Sequence, residues 1–282
     1  MAKYHVREGP CPTAYAWTPL QNTGSEVRGA ITVPNDANSI VEIWGAYCEL
    51  TQTDATGAVV GVRLRGGGMK FGSYETILGG YANGTKTGNN AMVSYLKARC
   101  LKTKLAVNPG GEIWIDGNQI SASDCGSTEV AVGLVFSNAA GEKRYGEVRF
   151  GQAGTVASAG VGKAALSLDP AGTTIAQVKV PNDAKHITNL TVGVGGIILA
   201  TAAGGTCFAR IEGALPEGDI VVCGPGLGTF DTTTGQSGAH FESESVETDV
   251  TLSPGGTLTC SGCQNGVDWG TPYIAIAIEM GV

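Results

Sequence analysis

The chain has 282 residues, of which 42% are hydrophobic and only 15% charged, with 44 glycines and a formal net charge of −7. So much apolar sequence builds packed cores and excludes a disordered chain, and so little charge means that much of the surface is expected to lie against something else. The charge is uneven: residues 1–150 carry 14 Lys and Arg against 13 Asp and Glu, and residues 151–282 carry 4 against 12. The acidic second half argues against direct nucleic-acid binding, which rests on Lys and Arg neutralising phosphates.

No window keeps apolar residues at i, i+3, i+4 and i+7 for three turns, whereas short runs rich in Val, Ile, Ala and Thr alternate with turn residues, which predicts an all-β protein. In chain order, Met1–Glu26 has no counterpart later in the sequence and reads as an N-terminal arm laid on a neighbour. Strands are then expected at Ala30–Val33, Ser39–Leu50, Ala58–Arg65, Ala91–Val107, Glu112–Ile115 and Val130–Phe136. The glycine-rich Gly66–Asn90 between them reads as a surface excursion. Glu142–Phe150 is an extra strand-like segment, and the small, nearly uncharged Gly151–Lys163 reads as a flexible connection. Further strands are expected at Ile175–Val180, His186–Leu199, Cys207–Glu212, Asp219–Cys223, Ala239–Leu252, Thr257–Cys260 and Tyr273–Met280, with a second excursion at Gly213–Gly238.

The two halves repeat one another. ITVPNDANSI at Ile31–Ile40 returns as VKVPNDAKHI at Val178–Ile187, and VNPGGEIWI at Val107–Ile115 returns as LSPGGTLTC at Leu252–Cys260. Pro34 and Pro181 lie 147 residues apart, as do Arg63 and Arg210, and Pro109 and Pro254 lie 145 apart. A register held over that span is a duplication, and two copies make a tandem of closed domains and not a solenoid. The organisation expected is an arm at 1–26, a first domain at 27–150, a linker at 151–163 and a second domain at 164–282.

The repeated motifs are turns. In Val33-Pro34-Asn35-Asp36 and Val180-Pro181-Asn182-Asp183, proline is expected at the first central position of a type I turn, with Asp36 and Asp183 as turn caps. In Asn108-Pro109-Gly110-Gly111 and Ser253-Pro254-Gly255-Gly256, proline followed by glycine is the type II arrangement, which needs positive φ at the glycine.

Motifs that would carry chemistry are thin. Gly66-Gly67-Gly68 with Lys70 lacks the remainder of a phosphate-binding loop. Only Cys260-x-x-Cys263 is close-spaced among eight cysteines; His240-x-Glu242-x-Glu244 could join it as a metal site, but no second Cys or His pair stands at comparable spacing, and free buried thiols are the expectation. No nucleophile or metallohydrolase motif accompanies His5, His186 and His240. Lys97, Arg99, Lys102 and Lys104 lie along one strand as a solvated or salt-bridging face. Trp44 and Trp114 stand in apolar strands and read as core; Trp17 and Trp269 read as exposed. No catalytic, cofactor or metal residue is assigned, and an enzyme is not expected. The N-terminus lacks the apolar core of a secretory signal, so synthesis in the cytoplasm is expected.

Duplicated β-domains of about 120 residues, with sparse charge and long loops at matching places, resemble the double jelly-roll major capsid proteins of tailless icosahedral viruses of the adenovirus-like lineage. The resemblance runs from about Val27 to Val282 and is carried by duplication, size and composition, not by a signature motif. It implies two tandem jelly-roll β-sandwiches and a homotrimer whose six domains form a pseudo-hexameric capsomer of an icosahedral capsid. It also implies a place in the virion, contacts with neighbouring capsomers and with minor capsid or vertex proteins, and an arm that ties capsomers or faces an internal membrane. The alternatives are a tandem carbohydrate-binding module, disfavoured by 6% aromatic content, and a minor virion or spike protein.

Overall fold

The computed structural model describes residues 3–11, 17–22, 29–47, 57–82, 99–120, 128–152, 154–155, 173–195, 205–227, 230–231, 236–237, 244–266 and 273–282. All regular structure within them is β. The first half contributes β1 (Lys3–Cys11), β2 (Thr18–Pro19), β3 (Gln21–Asn22), β4 (Ile31–Thr32), β5 (Ser39–Tyr47), β6 (Gly57–Arg65), β7 (Tyr74–Ala82), β8 (Arg99–Ala106), β9 (Glu112–Ile120) and β10 (Thr128–Ser137). The second contributes β11 (Arg144–Gln152), β12 (Gly154–Thr155), β13 (Thr173–Lys179), β14 (His186–Gly195), β15 (Gly205–Gly213), β16 (Ile220–Leu227), β17 (Phe230–Asp231), β18 (Gln236–Ser237), β19 (Glu244–Thr251), β20 (Thr257–Gly266) and β21 (Tyr273–Gly281).

In the first half β1, β10, β5 and β8 form one sheet, with β3 outside β1; in the facing sheet β2 and β4 both pair with β9, which leads on to β6 and β7. Counting β2 and β4 as one interrupted strand gives eight positions, with sheet orders 1-8-3-6 and 2-7-4-5. The second half repeats this: β11, β21, β14 and β19 form one sheet, and β12 with β13 pairs β20, followed by β15 and β16. Two Greek keys wound together give this order, the jelly roll. The chain is a double jelly roll.

The expected domain limits shift. Lys3–Cys11 is no free arm: β1 pairs antiparallel with β10 over nine residues, from Lys3 opposite Phe136 to Cys11 opposite Thr128. It is the first strand of the first domain. The extra segment Glu142–Phe150 likewise becomes β11, which pairs β21 from Arg144 opposite Gly281 to Gln152 opposite Tyr273, and opens the second domain. Of the expected linker, Gly151 and Gln152 end β11, and Gly154 and Thr155 pair in parallel with Cys263 and Gln264; the remainder lies outside the described residues. The join is 138–143. The expected loop Gly66–Asn90 contains β7, paired with β6 from Leu64 opposite Tyr74 to Gly57 opposite Ala82.

Alternation decides which side chains reach each core. On β6, Val60, Val62 and Leu64 point into the first core while Arg63 and Arg65 point out. Ile113 and Ile115 on β9 likewise enter that core, which turns Trp114 outward to a half-buried position. Ile43 takes the inward place on β5 and leaves Trp44 41% exposed, so neither tryptophan is core as the apolar context had suggested. The second core is built from the equivalent set, including Val178, Ile187, Leu190, Ile211, Leu258 and Cys260.

The turns behave as two pairs. Gly111 N–H donates to Asn108 O and Gly256 N–H to Ser253 O, with Gly110 and Gly255 at φ of +74° and +72°, the left-handed value that a type II turn requires. In the other pair, Ala37 N–H donates to Pro34 O and Ala184 N–H to Pro181 O, so the central residues are Asn35-Asp36 and Asn182-Asp183 and each proline stands one place earlier than expected. The pairs lock together in both copies, with Val33 N–H donating to Gly111 O and Val180 N–H to Gly256 O.

Candidate functional site

The most developed feature outside the two cores is the seam between the domains. On β21, Ile274, Ile276, Ile278 and Met280 fill the second core, so Ala275, Ala277 and Glu279 face the other way. All seven are buried, because the first domain covers the outer face of this sheet; a strand covered on both sides reads as a nearly continuous apolar run. Ala275 and Ala277 join Val148 of β11, Val59 of β6 and Ile77 of β7 in a third apolar cluster, with Phe150 packed against it. Two glycines let the backbones approach: a Cβ on Gly193 of β14 would lie 2.8 Å from Val59, and one on Gly146 of β11 would run into the backbone of Glu75 and the ring of Tyr74.

Glu279 anchors the polar end of the seam. Its Oε2 accepts from Tyr74 Oη at 2.6 Å and Thr103 Oγ1 at 3.0 Å, both from the first domain, and its Oε1 accepts from Thr188 Oγ1 at 2.8 Å. Arg144 Nη1 stands 3.6 Å from Oε1. Burial, and then the adjacent carboxylate, raise the Tyr74 phenol well above its usual range, so the hydroxyl stays a donor. Desolvation also pushes up the carboxyl of nearby Glu75, partly offset by the Val148 N–H that it accepts at 3.3 Å.

Beside Glu279 the seam opens into a cleft of about 430 Å³, lined by Lys102, Thr103 and Lys104 of β8 and by Arg144, Thr188 and Thr248 of the second domain. Lys104 reaches Glu142 at 3.4 Å, and Arg144 donates to the same carboxylate. The join is pinned on both sides. Glu142 N–H donates to Lys104 O at 2.6 Å and Ala106 N–H to Glu142 O at 3.0 Å, while Asp183 accepts from Lys143 Nζ at 2.5 Å and from Tyr145 Oη at 2.7 Å. Those two bonds, Lys143 first, hold the Asp183 carboxyl below its ordinary range. Asp183 is therefore a tie to the join as well as a turn residue.

Lys102 and Lys104, expected on a solvated or salt-bridging face, are exposed and border the cleft; Lys97 lies outside the described residues, and Arg99 is placed only as the first residue of β8. Trp17, expected exposed, is half-buried, with Arg63 5.0 Å from its ring centre, and Arg65 stands 5.6 Å from Trp114; both arginines donate to the buried Asp116. Gly66, at φ +115°, and Gly68, whose added Cβ would sit 2.5 Å from Ile113, allow a tight turn to lie on β9, so these glycines serve packing. Cys100 and Cys260 are free thiols, and burial pushes Cys260 up to about 11. Trp269, His240 and Glu242 lie outside the described residues. Sequence reasoning missed Glu279 and Tyr74. The signal for Glu279 was present: one acid in the strand YIAIAIEM, on the alanine side of an Ile/Ala alternation.

No protein-family model and no curated protein matches the sequence. Among solved structures the chain is similar to the STIV MCP, at 11% identity over 98% of this chain and 97% of that one, with a TM-score of 0.40. It is also similar to the major capsid protein P2 of bacteriophage PM2, at 10% identity over 100% and 98%, TM-score 0.33, and to PNGase F, a glycosylasparaginase of Flavobacterium meningosepticum, at 12% over 98% and 96%, TM-score 0.42. At such scores these likenesses do not choose between a shell protein and an enzyme. The double jelly roll rests on strand order.

Proposed function

We propose that the chain is a major capsid protein, three copies of which close into a pseudo-hexameric block that tiles an icosahedral shell. One observation carries the reading. The two jelly rolls dock through unlike surfaces: the β6, β7 and β8 side of the first domain sits on the outer face of the β11–β21–β14 sheet of the second. A contact between two different surfaces is heterologous, and repeating it closes a ring or runs on as a filament. Among the described residues each chain keeps one uncovered example of each surface, the outer face of the β1–β10–β5–β8 sheet and the β16–β19 side, so further copies can continue the pattern.

On this reading the partners are copies of the same chain, then neighbouring capsomers and minor capsid or vertex proteins, and the place of action is the virion. The role is structural, without a catalytic step and without direct nucleic-acid contact. Spending Lys3–Cys11 on a sheet favours a block held by its domain faces over one tied to a membrane by an arm. Size-exclusion chromatography with light scattering tests the proposal: a species of three times the 28.7 kDa chain, or larger shells, is expected, and a strict monomer at high concentration overturns it.

A further inference from the structure

We infer that the outer face of the first domain's β10–β5–β8 strands, centred on Trp44, is the seat for the β16–β19 side of the second domain of another copy. This rests on the capsid reading and goes beyond it by naming both surfaces. The duplication supplies the template. In the second domain Thr191 pairs with Ala277 across β14 and β21; in the first, Trp44 pairs with Gly133 across β5 and β10, so Trp44 takes the place of Thr191 and Gly133 that of Ala277. By the same register Ala131 takes the place of Ala275. In the second domain these positions are covered by the first: Thr191 is 1% exposed. In the first domain Ala131 and Gly133 form a low, half-buried, small-residue floor beside Trp44, which no described residue covers and which is 41% exposed.

The complementary side is equally open. Leu64 opposite Tyr74 corresponds to Ile211 opposite Ile220, so Val221 occupies the place of Glu75, which lies in the seam. Val221 is 43% exposed, one of four large exposed hydrophobic residues among those described. On the neighbouring strand, Glu42 opposite Lys102 corresponds to Asn189 opposite Glu247. Lys102-Thr103-Lys104 of β8 is thus replaced by Glu247-Thr248-Asp249 of β19, a reversal of charge around a retained threonine. Within the chain, Thr103 and Thr248 both line the cleft. When a second copy docks in the same way, its Glu247-Thr248-Asp249 strand comes beside β8, whose outer face exposes Lys102 and Lys104. Divided at the join, residues 1–143 hold twelve basic and twelve acidic residues and residues 144–282 hold six and thirteen, so the second domain is the one drawn to a basic strand. A neighbouring copy matches both the apolar floor and the charge.

The test uses two full-length variants, Trp44→Asp and Val221→Asp, each altering one exposed position. Light scattering is expected to read the parent as a trimer and each variant alone as a monomer, with thermal melts matching the parent. Mixed in equal amounts, the variants are expected to give a dimer of unlike chains that cannot close, because the Val221 side of one and the Trp44 face of the other are both intact. Gly133→Asp reads the same face if Trp44→Asp does not fold. Variants that keep the parent's mass, or a mixture that stays monomeric, overturn this pairing while leaving the trimer standing; a monomeric parent overturns both.

Discussion

Glu279 shows how one residue decides whether two domains behave as one. A carboxylate at the edge of an apolar seam is costly to desolvate, and it persists because Tyr74, Thr103, Thr188 and Arg144 all address it. Removing the carboxylate takes the charged acceptor from a buried phenol and leaves a largely buried guanidinium facing fewer acceptors. Glu279→Ala is expected to cost about 3–5 kcal/mol, and Tyr74→Phe, which removes one bond to a charged acceptor, about 1.5–3 kcal/mol, both measured by denaturant unfolding. If Glu279→Ala unfolds like the parent, the residue is not holding the seam. The turn glycines and the Pro-Gly pairs were legible because φ is a local property. The bonds of Glu279 reach up to 205 residues along the chain, so only its oddity within its strand was visible.

At the level of elements, what the sequence showed and what it hid divide by range. Strands whose apolar residues alternate, such as Val60, Val62 and Leu64 on β6, announced themselves. β7 did not: YETILGGYA places two glycines at its centre, and local pattern reads glycine as loop. β1 did not either, because KYHVREGPC has no apolar alternation and carries a proline; its strand character comes from pairing with β10, more than a hundred residues away. Yet β7 supplies Ile77 and Tyr74 to the seam, and glycine is what lets opposing strands come near. Gly193 makes the point testable. A side chain there meets Val59 on the other domain, so Gly193→Val is expected to destabilise by about 1–3 kcal/mol through overpacking, and Val59→Ala in the same chain to recover most of the loss. A double-mutant cycle measures it; strict additivity would show that β14 and β6 do not touch.

For the whole molecule, the position of the boundary separates a rigid block from two domains on a tether. A flexible connection at 151–163 would leave the domains free to part. The join at 138–143 instead hydrogen-bonds to β8 on one side and, through Lys143, to Asp183 on the other, where Tyr145 of β11 also donates. Each domain then owns a full set of eight strand positions, and the apolar seam lies between them. A cut within the join therefore severs no sheet pairing and leaves the seam whole. With a protease site inserted after the exposed Ala139, the cleaved chain is expected to elute at the mass of the uncleaved one and to separate into two fragments only in denaturant. Fragments that part in buffer would mean that the seam is too weak to hold the domains without a covalent link. A block that keeps its geometry after the cut is what the proposed ring of heterologous contacts would need, because in such a ring the angle set at the internal seam fixes whether the third copy meets the first.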